Sequence, residues 1–245
     1  MSGAGIASLP MYVTERTAAD WRMLWALIAG ELAAADVAVP SLIEPPFELM
    51  PHWTAPELVL SQTCSKPYRD SLVGRVRILG AFDFGLEGCP AGYYRSAIVV
   101  RGGETRTLAA LIDGGRVAIN GADSQSGAVA LQRLGSDLAG VLVTGAHLAS
   151  IDAVAAGGAD VAAIDAQTWR LAQRDHDAAG SLRVLHWTKP TPGLPLICAA
   201  GQPVERIAGA VARAVSAMSP GLSARLALRG FVRLPEALYN DPSIF

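Results

Sequence analysis

Side chains that could bind an anion are concentrated at the start of one helix in the middle of the chain. Residues 117–120 (Val-Ala-Ile-Asn) are predicted to be a buried strand, and Ser-Gln-Ser-Gly at 124–127 opens a helix with an apolar repeat that ends near Gly135. The first N–H groups of a helix have no partner within it, and serine hydroxyls beside them add further donors. This junction can therefore bind the oxygens of a small oxyanion without a lysine.

Two further junctions between a strand and a helix follow. Residues 141–143 are predicted to form a strand that leads to a turn at His147, and a helix covers 149–156. A third strand, 159–164, ends on Asp165. In open α/β folds ligands bind where the carboxyl ends of parallel strands meet. We therefore expect one rim of a parallel sheet to carry Ser124, Ser126, His147, Ser150 and Asp165.

Strand and helix signals also alternate outside this segment, which predicts an α/β protein. Further strands are predicted at 6–9, 58–62, 75–82, 94–100, 184–187 and 194–199. A helix beginning at Thr17 and another over 204–218 show apolar residues at helical spacing.

Three motifs in this order resemble the phosphonate-binding group of ABC-transporter solute receptors. They are Asp-Ser-Gln-Ser-Gly at 123–127, Thr-Gly-Ala-His at 144–147 with Ser150, and Ala-Val-Ala-Ala-Gly-Gly-Ala-Asp-Val-Ala-Ala-Ile-Asp at 153–165. The resemblance is best over residues 95–190. It implies a two-lobed clamp like the type II periplasmic binding proteins, in which each lobe is a mostly parallel sheet flanked by helices. It also implies a small anionic ligand and the permease of an ABC transporter as a possible partner.

The expected lobes are discontinuous in sequence. Residues 1–100 join 190–245 in lobe 1, and 101–189 form lobe 2. The strands at 94–100 and 184–187 are expected to act as two hinge strands, so that the lobes close on a solute held between them.

Lobe 1 offers its own candidates at strand ends. Tyr12 follows the first strand, Gln62 and Thr63 end a later one, and Tyr93 and Arg95 begin a hinge strand, where arginine could grip an oxyanion with two parallel bonds. The full set of predicted ligand-binding residues is Tyr12, Gln62, Thr63, Tyr93, Arg95, Ser124, Gln125, Ser126, Gly127, His147, Ser150 and Asp165.

Structural roles compete with binding at several of these positions. Ser124 and Ser126 are also good N-cap residues, and Asp165 could cap the helix that follows it. His147 could instead hold a turn by hydrogen bonds. Arg95 could form a surface ion pair with Asp83 or Glu87.

Composition excludes several classes of protein. Apolar residues make up 51% of the 245 residues and charged residues 17%, as in a well-packed globular protein. A net charge of −2 gives no case for nucleic-acid binding. No apolar run approaches the roughly 20 residues of a membrane span. We expect a monomer or weak dimer.

The amino terminus lacks the basic and apolar regions of a secretory signal. We therefore expect a cytoplasmic protein, or a periplasmic one whose leader has been removed. Cys64 and Cys89 could form a disulfide in an oxidising compartment, whereas Cys198 is expected to be buried and inert. The cysteine spacing predicts no metal site, and we expect no cofactor.

Two other functions stay open. Enzymes of menaquinone and thiamine-pyrimidine biosynthesis use the same clamp fold, and in such an enzyme His147 or Asp165 would exchange protons. A cytoplasmic anion sensor is the second alternative. The sequence shows no nucleophile elbow, P-loop or dinucleotide fingerprint, so a binding protein is favoured over an enzyme and no catalytic residue is predicted.

Overall fold

A computed structural model describes residues 5–45, 47–135, 138 and 140–244. These residues divide into two compact units. Unit 1 consists of the described residues of Met1–Tyr93 and Pro192–Ile244, and unit 2 of those of Tyr94–Thr191. The lobe limits expected from the sequence stay a prediction, and residues 1–4, 46 and 245 of the expected lobe 1 lie outside the described residues.

The secondary structure alternates between short strands and helices. The strands are β1 (Ile6–Ala7), β2 (Ser41–Leu42), β3 (Leu58–Gln62), β4 (Val76–Asp83), β5 (Tyr93–Tyr94), β6 (Ser96–Arg101), β7 (Val117–Ile119), β8 (Val141–Val143), β9 (Val161–Asp165), β10 (Leu182–Trp187), β11 (Thr191–Pro192), β12 (Pro195–Ala199) and β13 (Gly230–Val232). The α-helices are α1 (Ala18–Ala34), α2 (Leu49–Trp53), α3 (Ser65–Pro67), α4 (Leu108–Gly114), α5 (Ala130–Gln132), α6 (His147–Ala155), α7 (Ala166–Asp175), α8 (Val204–Ser216), α9 (Pro220–Leu226) and α10 (Glu236–Asn240).

Two of these helices are continuous with a wider, π-helical turn. Tyr68–Leu72 extends α3, and Gln125–Val129 precedes α5. The first of these helices follows β3, and the second follows β7.

The sheet of unit 1 has the strand order β13-β4-β12-β3-β1-β2. β1 pairs with β2 and β3 in parallel, whereas β12 runs antiparallel to both β3 and β4, and β13 runs antiparallel to β4. Helix α1 buries Leu24, Ile28 and Leu32, four residues apart along one face, and this face lies in contact with α8.

The sheet of unit 2 has the strand order β10-β6-β9-β7-β8. β7 is parallel to β8 and β9, and β6 is antiparallel to β9 and β10. Alternate residues of β6 enter different apolar clusters. Ala97 and Val99 pack with Trp169 of α7, and Ile98 and Val100 pack with Leu111 of α4.

The α/β class expected from the sequence is confirmed, but the sheets are mixed and not mostly parallel. Parallel neighbours need a crossover connection, and the Gln125–Val129 turn with α5 supplies it between β7 and β8. The chain enters the sheet of unit 2 along β6 and leaves it along β10 in the opposite direction, so these two strands pair antiparallel.

The two strands that were expected to act as hinges, β6 and β10, both belong to unit 2, and their hinge role stays a prediction. β6 and β10 are neighbours within the sheet of unit 2, and β6 is apolar on both faces, as a central strand requires. The chain passes between the units at β5 and β11, two short strands that pair with each other.

Candidate functional site

The helix that follows β7 begins with a formed cap. Ser124 has extended backbone angles (φ −84°, ψ 121°), and its Oγ accepts a hydrogen bond from the Gly127 N–H at 3.0 Å. Ser124, Gln125 and Ser126 are all buried. The sequence therefore folds this junction into a capped helix start that carries buried hydroxyl groups.

Ser126 contacts a histidine from the next junction. Its Oγ lies 2.8 Å from Nε2 of His147, the first residue of α6. Burial lowers the pKa of His147 to about 4, and the backbone of Ala163 offsets only part of that shift. The ring is therefore neutral at pH 7. With the proton on Nε2 the ring donates to Ser126 Oγ, and with the proton on Nδ1 the ring accepts the Ser126 hydroxyl hydrogen instead.

Ser150 and Thr144 hold the turn before α6 together. The two hydroxyl oxygens lie 2.7 Å apart, and Thr144 Oγ1 donates to the Ile119 carbonyl at 3.1 Å, or alternatively to that of Ala146. Ser150 is fully buried. This geometry gives Ser150 a structural role in orienting the segment that carries His147.

Asp165 caps α7. One of its carboxylate oxygens accepts from the N–H groups of Gln167 and Thr168 at 2.8 and 3.0 Å. The side chain is 2% exposed, and its backbone lies opposite Ser96 of β6. Of the two roles expected for Asp165, helix cap and ligand contact, the structure contains the helix cap. A ligand contact by Asp165 stays a prediction.

Asn120 was missed by the sequence analysis. A Cβ atom built on Gly127 would lie 2.0 Å from Asn120 Oδ1, so this carboxamide lies directly against the glycine. Asn120 Oδ1 is buried and has no hydrogen-bond partner among the described residues. Only a weak signal in the sequence could have indicated Asn120. It is a polar residue at the last position of a predicted strand, and it precedes the glycine of the helix start by seven residues.

Three residues of unit 1 form a second junction, between β3 and α3. Gln62, the last residue of β3, is 1% exposed, and Thr63 is fully buried. Thr63 Oγ1 donates to the Cys64 carbonyl at 3.3 Å. Ser65, which begins α3 and was not among the predicted residues, is also fully buried. The predicted pair Gln62 and Thr63 thus lies at a strand end, as expected.

The aromatic and cationic candidates have other contacts. Tyr12 is 5% exposed, and its ring packs edge-on against Phe84 at a centroid distance of 5.0 Å. The Arg95 guanidinium lies over the Trp187 ring, 4.3 Å from its centroid, and this contact replaces the surface ion pair that was the alternative. Tyr93 is half-buried in β5. The structure thus places Tyr12 in the core of unit 1 and Arg95 on an aromatic partner.

Neither a metal-binding cluster nor a membrane-spanning helix is found among the described residues. In the part of the chain that the structure describes, no three His, Cys, Asp or Glu side chains come together in a way that could bind a metal ion. None of the described helices is both long enough and apolar enough to cross a membrane. Cys64 and Cys89 are present as thiols, and burial raises the pKa of the Cys198 thiol to about 12.

Solved structures share this fold at low sequence identity. XAC2383 from Xanthomonas citri, bound to chloride ion, has a TM-score of 0.71 and 16% identity over 97% of this chain and 94% of its own. PhnD1 from Prochlorococcus marinus, in complex with methylphosphonate, has a TM-score of 0.70 and 12% identity over 96% and 94%. PA3383 from Pseudomonas aeruginosa, a binding-protein component of an ABC phosphonate transporter, has a TM-score of 0.73 and 13% identity over 96% and 83%. These likenesses confirm the type II periplasmic-binding-protein fold.

Sequence comparison identifies the family. The family model described as "ABC transporter, phosphonate, periplasmic substrate-binding protein" matches residues 85–239, which is more than half of the chain. No curated protein matches the sequence. The match includes all three motifs from which the resemblance was first inferred. The chain belongs to the family of periplasmic substrate-binding proteins of phosphonate ABC transporters.

Proposed function

We propose that this protein captures a small oxyanion of the phosphonate, phosphite or phosphate type and delivers it to the permease of an ABC transporter. Membership of the family supports the general role. The observation that carries the proposal is the bond between Ser126 Oγ and His147 Nε2 at a helix start that Ser124 already caps. It follows that the anion would bind at the strand ends of unit 2.

The chemistry of this junction suits an oxyanion. The serine hydroxyls and the N–H groups of the first helical turn are hydrogen-bond donors, and the positive end of the helix dipole favours negative charge. A neutral His147 can position the Ser126 hydroxyl without adding a formal charge. Binding would then depend on directed hydrogen bonds more than on an ion pair.

The ligand contacts expected in unit 1 stay a prediction. Tyr12 is packed against Phe84, whereas Gln62 and Thr63 lie buried at the end of β3. The closing of two lobes around the solute stays a prediction. We also propose that the mature protein works in the periplasm, as the family does.

The enzyme alternative has less support from the geometry. Burial holds His147 neutral, and Asp165 is used as a helix cap. Both groups therefore have structural partners that a proton-exchange role would have to disturb. The sensor alternative shares the ligand site, and only the identity of the partner separates it from transport.

The test replaces Ser126 and His147 together with alanine. Thermal shifts are measured with methylphosphonate, phosphite and phosphate, and the double variant is expected to lose the stabilisation that the wild type shows with at least one of them. The matched control is Ser181→Ala with His176→Ala, a serine and a histidine of unit 2 on exposed segments. Unchanged ligand shifts in the Ser126→Ala/His147→Ala protein would contradict the proposal.

A further inference from the structure

Strand β8 forms one edge of the sheet of unit 2 and carries apolar side chains in contact with solvent. It is the last strand in the order β10-β6-β9-β7-β8, and within the described residues it pairs with β7. Its two valines, Val141 and Val143, are 45% and 62% exposed. An open edge of this kind is a template for pairing with a further strand, and folded proteins usually protect it.

The backbone of β8 also has hydrogen-bonding groups on its open side. The Thr144 N–H donates to the Ile119 carbonyl of β7 at 2.9 Å. Alternate residues of a strand direct their backbone groups to the same neighbour, so Leu142 also bonds to β7. The N–H and C=O groups of Val141 and Val143 therefore point away from β7. The two residues with exposed side chains are thus also the two whose backbone faces the open edge.

The opposite edge of the same sheet, β10, is protected. It carries Arg183 and His186, and the register of its pairing with β6 shifts between Val184 and His186. Charged side chains and such irregularities are common devices against edge-to-edge pairing. By contrast, β8 pairs with β7 in one continuous register, and residues 138–151 contain no Asp, Glu, Lys or Arg. The sheet is therefore closed to further strands at one edge and open at the other.

The sequence of β8 suits a second copy of the same strand. Val-Leu-Val reads the same in both directions, so a two-fold axis beside Leu142 places Val141 of each copy opposite Val143 of the other. Each of these two pairs exchanges both backbone hydrogen bonds, and the valine side chains cover one another on one face of the sheet. Two copies of an edge without charged side chains also meet without repulsion between like charges.

We propose that this protein self-associates through β8, which pairs antiparallel with β8 of a second copy and continues the sheet of unit 2 into it. The contact is three residues long and thus smaller than the interfaces of permanent dimers, so the dimer is weak and depends on concentration. The proposal goes beyond anion capture and does not depend on it. None of the residues to which anion binding is assigned belongs to β8.

The first experiment measures the oligomeric state by sedimentation velocity. The wild type is expected to change from monomer to dimer as its concentration rises from about 1 to about 500 μM. Val143→Pro removes an N–H that faces solvent in the monomer, a position at which edge strands accept proline. Each copy in the dimer loses one hydrogen bond, so the dissociation constant should rise at least about tenfold.

A second variant covers the case in which proline disturbs the fold. Val143→Lys retains the backbone bonds within unit 2 and places a charge on the edge, so it should also shift the protein toward monomer. The matched control is Val39→Lys, which changes a valine of unit 1 that is 44% exposed. The control should dimerise like the wild type.

Cross-linking tests the two-fold pairing itself. In an antiparallel pair centred on Leu142, this residue lies opposite its own copy at a non-hydrogen-bonded position, where the Cα atoms are about 4.5 Å apart. That separation permits a disulfide. In a Cys64→Ser/Cys89→Ser background, Leu142→Cys should form a covalent dimer on mild oxidation, and Val39→Cys should not.

The outcomes are distinct from those that test anion binding. A wild type that stays monomeric over this range of concentration overturns the proposal and leaves the edge to a different protein. A dimer that is unchanged in both Val143→Pro and Val143→Lys, or that Leu142→Cys fails to cross-link, also overturns it. Failure of the wild type to bind methylphosphonate, phosphite or phosphate would contradict the proposed function and leave the dimer standing.

Discussion

The junctions after β7 and after β3 have a similar backbone but differ in how the start of the helix is capped. In unit 2, β7 leads to an extended cap residue, Ser124, and a helix with a π-helical turn; in unit 1, β3 leads to Cys64 and a helix of the same kind. Ser124 accepts a bond from Gly127 and Ser126 contacts His147, whereas the Gln62 amide has no partner in the described chain.

The difference originates in single residues. Formed caps elsewhere in this chain also use the N–H of the third helical residue, as Thr107 does with Ala110 and Ser219 with Leu222. Ser124 follows this pattern, but the third helical residue after Cys64 is Pro67, which cannot donate. The start of one helix is therefore capped by a side chain, and the start of the other is not.

Among substitutions at the two junctions, Gly127→Ala is expected to cause the largest loss of stability. The added Cβ would approach Asn120 Oδ1 to 2.0 Å, so either the carboxamide or the helix start must move. We expect a loss of about 1–3 kcal/mol in the free energy of unfolding, measured with urea. The double variant Asn120→Ala/Gly127→Ala removes the clash and should recover most of that loss; equal losses in the single and double variants would contradict the close contact.

Acidification should weaken unit 2 through His147. Its pKa in the folded protein is about 4, below the ordinary value of 6.5, so the unfolded chain binds more protons between these values. The stability that depends on the neutral ring is complete above about pH 6.5 and is lost as the pH falls toward 4. Between pH 7 and pH 5, His147→Gln should lose less stability than the wild type, by on the order of 1–2 kcal/mol in urea denaturation. Because the pKa of His52 is also lowered by burial, only the difference between the two proteins is informative, and parallel pH profiles would exclude this role of His147.

The smallest changes in stability are expected from substitutions at the two N-cap residues, Ser124 and Cys64. Ser124→Ala removes the bond from Gly127 and should cost about 1 kcal/mol in stability. Cys64→Ser adds a capping oxygen but should change stability by less than about 0.5 kcal/mol, because Pro67 offers no N–H. A gain from Cys64→Ser as large as the loss from Ser124→Ala would show that another donor of the first turn can reach the cap, and the proposed contrast would then be weaker.

Much of unit 2 could be predicted from the sequence because its signals are local. The strand before Ser124 and the helix after it follow from apolar spacing and capping preference, and Asp165 ends β9 at the predicted place. The family resemblance rested on the same residues. Local patterns of this kind survive in the fold because each is stabilised by its own neighbours in sequence.

Contacts between residues distant in sequence could not be predicted in the same way. Tyr12 follows a strand as expected, yet its ring packs on Phe84, and Arg95 stacks on Trp187, which lies far along the chain. The antiparallel pairing of β6 with β10 likewise depends on where the chain re-enters the sheet. None of these partners is marked by a motif, because packing selects for shape and apolar area, which many residues supply.

The π-helical turns have a consequence for how this chain can vary in length. Each contains a bond that reaches back five residues, from the Val129 N–H to the Ser124 carbonyl and from the Val73 N–H to the Tyr68 carbonyl, both at 3.1 Å. Such a turn holds one residue more than the same stretch of α-helix. Deleting a residue there would restore regular winding and leave Leu131, which is fully buried, facing the apolar cluster it occupies. Each of these turns can therefore lose one residue without turning the buried face of the following helix away from its core.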